Sequence, residues 1–311
     1  VVVLCGGERL VPEKPLASTG VELLRQKQAA SESFSVRTLD ILVAELDKTL
    51  GQWPYGAMTL ASLEPAEDEL FSAHGGLMLI SPRVLDGAQG ASFVFDLLAR
   101  QYLSLGAPID PRLLEGMIRY LGLRWGLREG SSGSLERLHG LKQEYLDALA
   151  ENPKQDLALT ELTVFDPMYL PIVYAKAVLI MRMLDLAVGD ERFEAALRDF
   201  VKGDGALKTR GVDELQRAFE VAAGQSLAAF FDRFFRGTAL VEVDAKCKKG
   251  ELTLKQRREL VYPLRFSLYV GDQEQPLQVD FDETGRWSTP LECPKRKLKL
   301  HSPEALVRFR D

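Results

Sequence analysis

Beyond Gly237 the hydrophobic period of this chain changes from 3.6 residues to two, and that change governs what the chain can fold into. Val241, Val243 and Ala245 alternate with polar residues, as do Leu252 and Leu254, then Leu264, Phe266, Leu268 and Val270, then Leu277, Val279 and Phe281. Alternation places apolar side chains on one face of a strand, whereas a helix would scatter them around its axis. Gly250, Gly271-Asp272 and a DETG turn separate the runs, so residues 239–311 read as a small antiparallel β-sandwich.

Upstream the pattern is mixed and then helical. VVVLC and GVELLRQ read as short strands, and Leu39, Leu42, Val43, Leu46 and Leu50 predict a helix over about 35–50. Residues 58–83 are strand-like, with Leu77–Ile80 a buried strand, and the LDGAQGA loop leads into a helix through SFVFDLLARQYL. Asp110 and Pro111 suit the N-cap and first-turn positions of the next helix. Further helices are expected at about 134–150, 170–188, 190–202, 213–223 and 225–236, with Asp213 and Gln216 as a capping box and Gly224 and Gly237 as stops. The fold class expected is α+β: a domain over 1–237, with an α/β part to about 125 and a helical part over 126–237, followed by the sandwich.

Composition narrows the function. With 46% hydrophobic and 27% charged residues the chain buries a core. A formal charge of −6 and a pI near 5.4 exclude a nucleic-acid backbone binder, which needs a concentrated excess of Lys and Arg. The basic residues that do cluster, in KCKKG, KQRR and PKRKLK, all lie in the sandwich, where they are expected to guard exposed strand edges. No apolar stretch reaches the roughly 18–20 residues of a bilayer-spanning helix. The chain opens without an initiator Met and reads as a processed product or fragment, so any upstream signal or anchor, and hence the compartment, is outside this reading. Cys5, Cys247 and Cys293 are too scattered for a disulfide framework and are expected to be ordinary thiols, with Cys247 and Cys293 able to pair if their strands are adjacent.

The usual chemical signatures are missing from these residues. There is no GxSxG elbow, no GxxxxGK[ST] loop and no GxGxxG after a strand, and His74, His139 and His301 form no HxxxH or HxH pair.

The segment 171–201, PIVYAKAVLIMRMLDLAVGDERFEAALRDFV, with GVDELQRAFEVAAGQSLAAFFDRFFRGTALVEV at 211–243, resembles the gluzincin metallopeptidases of the membrane alanyl aminopeptidase and leukotriene A hydrolase family. GQWPY at 51–55 is similar to that family's fG-x-YP element, and LFSAHGGLMLIS at 70–81 stands where the family has its GxMEN strand. The resemblance implies a thermolysin-like catalytic-type lobe over about 1–237 and the family's small β domain after it, with a β saddle preceding residue 1.

It also implies a site whose chemistry can be checked residue by residue. Such a site sets two His at i and i+4 on one helix face, a Glu beside the first as base, and a third ligand Glu on the next helix, to hold Zn²⁺ with one open position. DLLARQYL stands where the family has HELAHQWF, so Asp96 takes the first ligand position, Leu97 that of the base and Arg100 that of the second ligand. A gap-free register instead puts Asp96 on the second His, with Ser92 and Phe93 on the first His and the base. Leu accepts no proton and a guanidinium offers no lone pair. Glu115 in LLEGM resembles the third ligand of the family's NEGfA, Tyr174 the oxyanion-stabilising Tyr, and Ala73, flanked by Ser72 and His74 and followed by Gly76, stands where the amine-anchoring Glu would be. Asp96 and Arg100 are spaced to face one another on a helix, and with Glu115 opposite they would form an ion pair in place of the metal.

The implied reading is a catalytically inactive homologue with no cofactor, acting as a protein-interaction or peptide-binding scaffold. The alternatives are a metallopeptidase with an unusual zinc set, from Asp96, Glu115 and a loop His, or a structural module of a larger protein.

Overall fold

The computed structural model describes residues 10–12, 21–26, 36–53, 58–62, 71–74, 77–85, 90–104, 108–203, 208–238, 240–257, 264–271, 276–282, 284–292 and 298–310. The chain divides into two compact units, one of residues 1–109 with 197–209 and the other of 110–196 with 210–311.

In the first unit, strands β1 (Leu10–Pro12), β2 (Val21–Gln26), β3 (Met58–Ser62), β4 (Phe71–His74) and β5 (Leu77–Ile80) form one open sheet in the order β1-β2-β3-β5-β4. β2, β3 and β5 run parallel, while β1 and β4 are antiparallel edges. Helices α1 (Val36–Leu50), α2 (Pro82–Leu85) and α3 (Gly90–Leu103) complete the order, and α3 packs on α1 and β4. The helical stripe of α1 is buried as its spacing predicts, with Leu39, Leu42, Val43, Leu46 and Leu50 all in the core. Tyr102 of α3 donates its hydroxyl to Asp47 Oδ1 of α1 at 2.6 Å, and the Trp53 backbone N–H donates to the same oxygen at 3.1 Å. That one carboxylate ties the turn after α1 to α3. The VVVLC segment lies outside the described residues, and β1 was not legible as a strand, because a three-residue run containing Pro12 carries no alternation.

The second unit opens with α4 (Pro111–Arg128), capped as expected by the Asp110 side chain on the Arg112 N–H at 3.0 Å. α5 (Ser132–Glu151), α6 (Tyr169–Pro171), a π-helical turn at Ile172–Lys176, α7 (Ala177–Val188), α8 (Asp190–Lys202), α9 (Val212–Ala223) and α10 (Ala228–Phe234) follow. α8 passes out of this unit at Ala196. The cap of α9 corrects the sequence reading: the N-cap is Gly211, whose N–H donates to Glu214 at 2.9 Å, while Asp213 pairs with Arg236 and Gln216 with Glu220. A glycine there supplies no side-chain acceptor, so the local pattern points instead to Asp213, two residues on. Gly224 ends α9 in the left-handed region at φ 66°, as its position suggests.

Strands β6 (Val241–Lys248), β7 (Glu251–Gln256), β8 (Arg265–Val270), β9 (Leu277–Asp280), β10 (Arg286–Pro290), β11 (Leu300–His301) and β12 (Val307–Arg310) form two sheets, β10-β7-β6-β12 and β11-β8-β9. The alternation is borne out, with Val243, Leu252, Leu254, Phe266 and Leu268 buried. The sheets are not wholly antiparallel, since β12 pairs with β6 in parallel. Strand direction is invisible to a period-two pattern, which is the same whichever way the neighbour runs. Cys247 is disulfide-bonded, against the ordinary-thiol expectation, and Cys5 and Cys293 lie outside the described residues.

The helices and sheets of this unit are joined through residues 302–307, all buried. Glu304 accepts the Ser267 N–H at 2.8 Å and pairs with Arg182 of α7 at 2.7 Å. Lys142 of α5 donates to the carbonyls of Ser302 and Val307 at 2.7 and 3.3 Å, and burial pulls its ammonium down to about 8. Deeper in, Arg124 of α4 donates to Asp185 of α7 at 2.9 Å and to Glu194 of α8 at 3.1 Å, and Tyr120 donates to Asp185 at 2.5 Å. Arg128 adds a second guanidinium to Glu194 at 2.6 Å.

Two predictions follow from this packing. A Cβ on Gly116 of α4 would stand 2.7 Å from the Cβ of Ala177 of α7, so Gly116→Ala should cost about 1–3 kcal/mol in denaturant unfolding, and adding Ala177→Gly should recover part of it. An unchanged midpoint in the single variant would contradict the close approach. Burial raises the Glu194 carboxyl, but the hydrogen bonds and charges of Arg124 and Arg128 outweigh it and hold the group below its ordinary 4.5. The stabilisation is therefore full above pH 4.5 and fades as pH falls through the lower folded-state value. Glu194→Gln should lower the melting temperature at neutral pH and flatten the acid limb, and an acid limb of unchanged slope would count against this role.

Candidate functional site

The residues singled out by sequence fall in both units. In the first, Ala73 and His74 lie on the antiparallel edge strand β4, opposite Met78 and Leu77 of β5. Gly76 lies outside the described residues. On α3, Asp96, Leu97 and Arg100 are half-buried, while Val94, Phe95, Leu98 and Ala99 turn fully into the core. Asp96 and Arg100 are thus one helical turn apart on the less buried side, the spacing at which a carboxylate and a guanidinium attract. Ser92 and Phe93, the positions of the gap-free register, are exposed.

In the second unit, Glu115 is half-buried on α4 beside Gly116, and Tyr174 is half-buried in the π-helical turn. The missing Cβ at Gly116 lets α4 approach Ala177 at the end of that turn, so Glu115 and Tyr174 are carried on two tightly packed elements. A π turn inserts one residue into a helix and re-aims the side chains within it. Here it separates the outward Tyr174 from Lys176, which is 2% exposed. Lys176 donates to Asp156 Oδ1 at 3.0 Å and to the Leu157 carbonyl at 3.2 Å, and Tyr145 donates to Asp156 Oδ2 at 2.8 Å. Burial lowers the Lys176 ammonium, and Asp156 opposes that.

The guanidinium of Arg119, one turn after Glu115, lies 4.1 Å from the Tyr174 ring centroid, a cation–π contact. Sequence reading missed Arg119. Its i, i+4 spacing from Glu115 was the available signal, but nothing local predicts which face of the next helix it meets. Arg112, paired with Asp110, donates to the carbonyls of Thr160 and Leu162 at 2.8 and 3.0 Å and so fixes the segment that precedes Tyr169. Burial raises the Tyr169 phenol, and the negative potential of Tyr174 and Glu115 raises it further.

Among the described residues no group of three His, Cys, Asp or Glu side chains is placed to hold a metal ion. On α3, Leu97 carries an isobutyl group and Arg100 a guanidinium, and neither side chain offers a lone pair to a metal. These residues can orient and hydrogen-bond, and a tyrosine hydroxyl beside a fixed positive charge can stabilise an oxyanion.

Removing Lys176 would leave the Asp156 charge buried, so Lys176→Met should cost roughly 3–5 kcal/mol in denaturant unfolding, whereas Tyr174→Phe should leave the unfolding free energy within about 0.5 kcal/mol of the parent. Equal losses in both variants would show that Tyr174 is a packing residue.

No family model matches the chain. Over 125 residues, 40% of this chain and 14% of the relative, it is 27% identical to aminopeptidase M1 of Arabidopsis thaliana. Among solved structures it is similar to Legionella pneumophila aminopeptidase A in complex with aspartic acid, at TM-score 0.59 and 16% identity, covering 94% of this chain and 36% of that one. It is also similar to a point variant of the M1 zinc metallopeptidase of Deinococcus radiodurans, at TM-score 0.55 and 16% identity over 71% of this chain and 49% of that one. The chain therefore spans half or less of the length of these relatives. Its likeness is to the M1 zinc aminopeptidases, in fold along almost the whole chain and in sequence over part of it.

Proposed function

We propose that this chain is a catalytically inactive relative of the zinc aminopeptidases that serves as a protein-interaction or peptide-binding scaffold. The observation that carries this reading is the chemistry of α3. Leu97 and Arg100 replace the general base and a metal ligand on the helix that would bear both, and neither can take over the work. Arg100 instead contributes a permanent positive charge one turn from Asp96.

The scaffold role is supported by the surface before Tyr174. Val164, Phe165 and Leu170 are 66%, 93% and 58% exposed, in a segment held in shape by Arg112 and by Asp166, which accepts both the N–H and the hydroxyl of Thr163. Large apolar side chains presented by an ordered segment mark a contact surface more often than a solvated one.

Aminoacyl and peptide reporters, incubated with the purified chain with and without added zinc, should show no chelator-sensitive hydrolysis. Immobilised peptide arrays should be retained by the parent and lost by Phe165→Ser with Leu170→Ser. Chelator-sensitive cleavage would overturn the inactive reading, and undiminished retention by the double variant would overturn the placing of the contact surface.

A further inference from the structure

Near the C-terminal end of α5, the helices and the β6/β12 pair of the second unit line an open cavity of about 420 Å³. Its size falls within the range of about 300–1,000 Å³ common to small-molecule sites. Half-buried Leu146 and Leu149 of α5 and Leu240 before β6 supply an aliphatic wall.

The charged groups on the wall are unequal in what they have left to offer. Asp156 is engaged through both oxygens, by Lys176 at 3.0 Å and Tyr145 at 2.8 Å. Glu242 is likewise engaged through both, Oε2 by Arg257 at 3.5 Å and Oε1 by Arg310. Arg308 sits opposite Glu242 in the β12–β6 register, is exposed, and has no ion pair or hydrogen bond with the described residues. The two carboxylates already face their own cations, so the positive charge of Arg308 is surplus at the edge of the cavity's aliphatic wall.

We propose that this cavity binds a small aliphatic monocarboxylate, with its carboxylate on the Arg308 guanidinium and its tail against Leu146, Leu149 and Leu240. A guanidinium presents paired N–H groups that match the two oxygens of a carboxylate, and the tail leaves water for an apolar wall. A neutral or cationic head group gains nothing from Arg308. The inference does not depend on whether α3 retains any chemistry.

Hexanoate and 4-methylpentanoate titrated into the full chain by isothermal calorimetry should bind saturably, and hexanamide and hexylamine should not. Arg308→Gln, which removes no contact within the fold, should weaken hexanoate by about tenfold or more, the cost of losing a charged hydrogen-bond partner. Leu149→Trp, which fills the chamber and leaves Arg308 in place, should abolish binding, with unchanged far-ultraviolet spectra showing both variants folded. Equal binding of hexanamide, or hexanoate affinity retained in both variants, would overturn the proposal. So would binding of an acetylated tripeptide ending in a free leucine carboxylate when the free acids do not bind.

Discussion

The second unit depends on charges that have been taken out of water. Arg124 and Arg182 reach Asp185, Glu194 and Glu304 from helices and strands that are far apart in sequence, and Asp185 and Glu304 are 1% exposed. Burial weakens each arginine's hold on its proton, yet the carboxylates outweigh that and hold both guanidinium groups further above their ordinary range. Such a network contributes modestly to net stability, because desolvation offsets most of the attraction, but losing one member leaves the others uncompensated. It therefore acts chiefly as a specifier of arrangement: α4, α7, α8 and the turn before β12 have one mutual placement that satisfies it.

The groups around Tyr174 are held in place by contacts within the same unit. Gly116 lets α4 lie close on Ala177, Lys176 pins the π turn from beneath, and Arg119 covers the tyrosine ring from the side. None of these contacts uses a metal. A unit whose geometry is fixed by its own ion pairs and close packing does not depend on a metal for its shape, so likeness of fold does not by itself establish likeness of chemistry.

Much of the fold was legible in sequence because its signals are local. The stripe on α1, the Asp110–Pro111 start of α4 and the alternation after Gly237 each follow from residues within a few positions of one another. The misses share the opposite property. The parallel pairing of β12 with β6 joins residues some 66 positions apart, the distance from Val241 to Val307, and no alternation pattern encodes direction. Gly211 as a cap is a backbone effect without a side chain to notice. Of the candidate site, the positions on α3 and the Glu115–Tyr174 pairing came from motif likeness, whereas Arg119 over the tyrosine ring depends on which helix faces meet.

The central claim is that α3 no longer offers a catalytic zinc its ligands. Equilibrium dialysis of the folded chain against excess zinc, followed by elemental analysis, tests it most directly. The account expects well under one equivalent of tightly held metal, unchanged by Asp96→Asn or Glu115→Gln. One full equivalent that either substitution releases would contradict it.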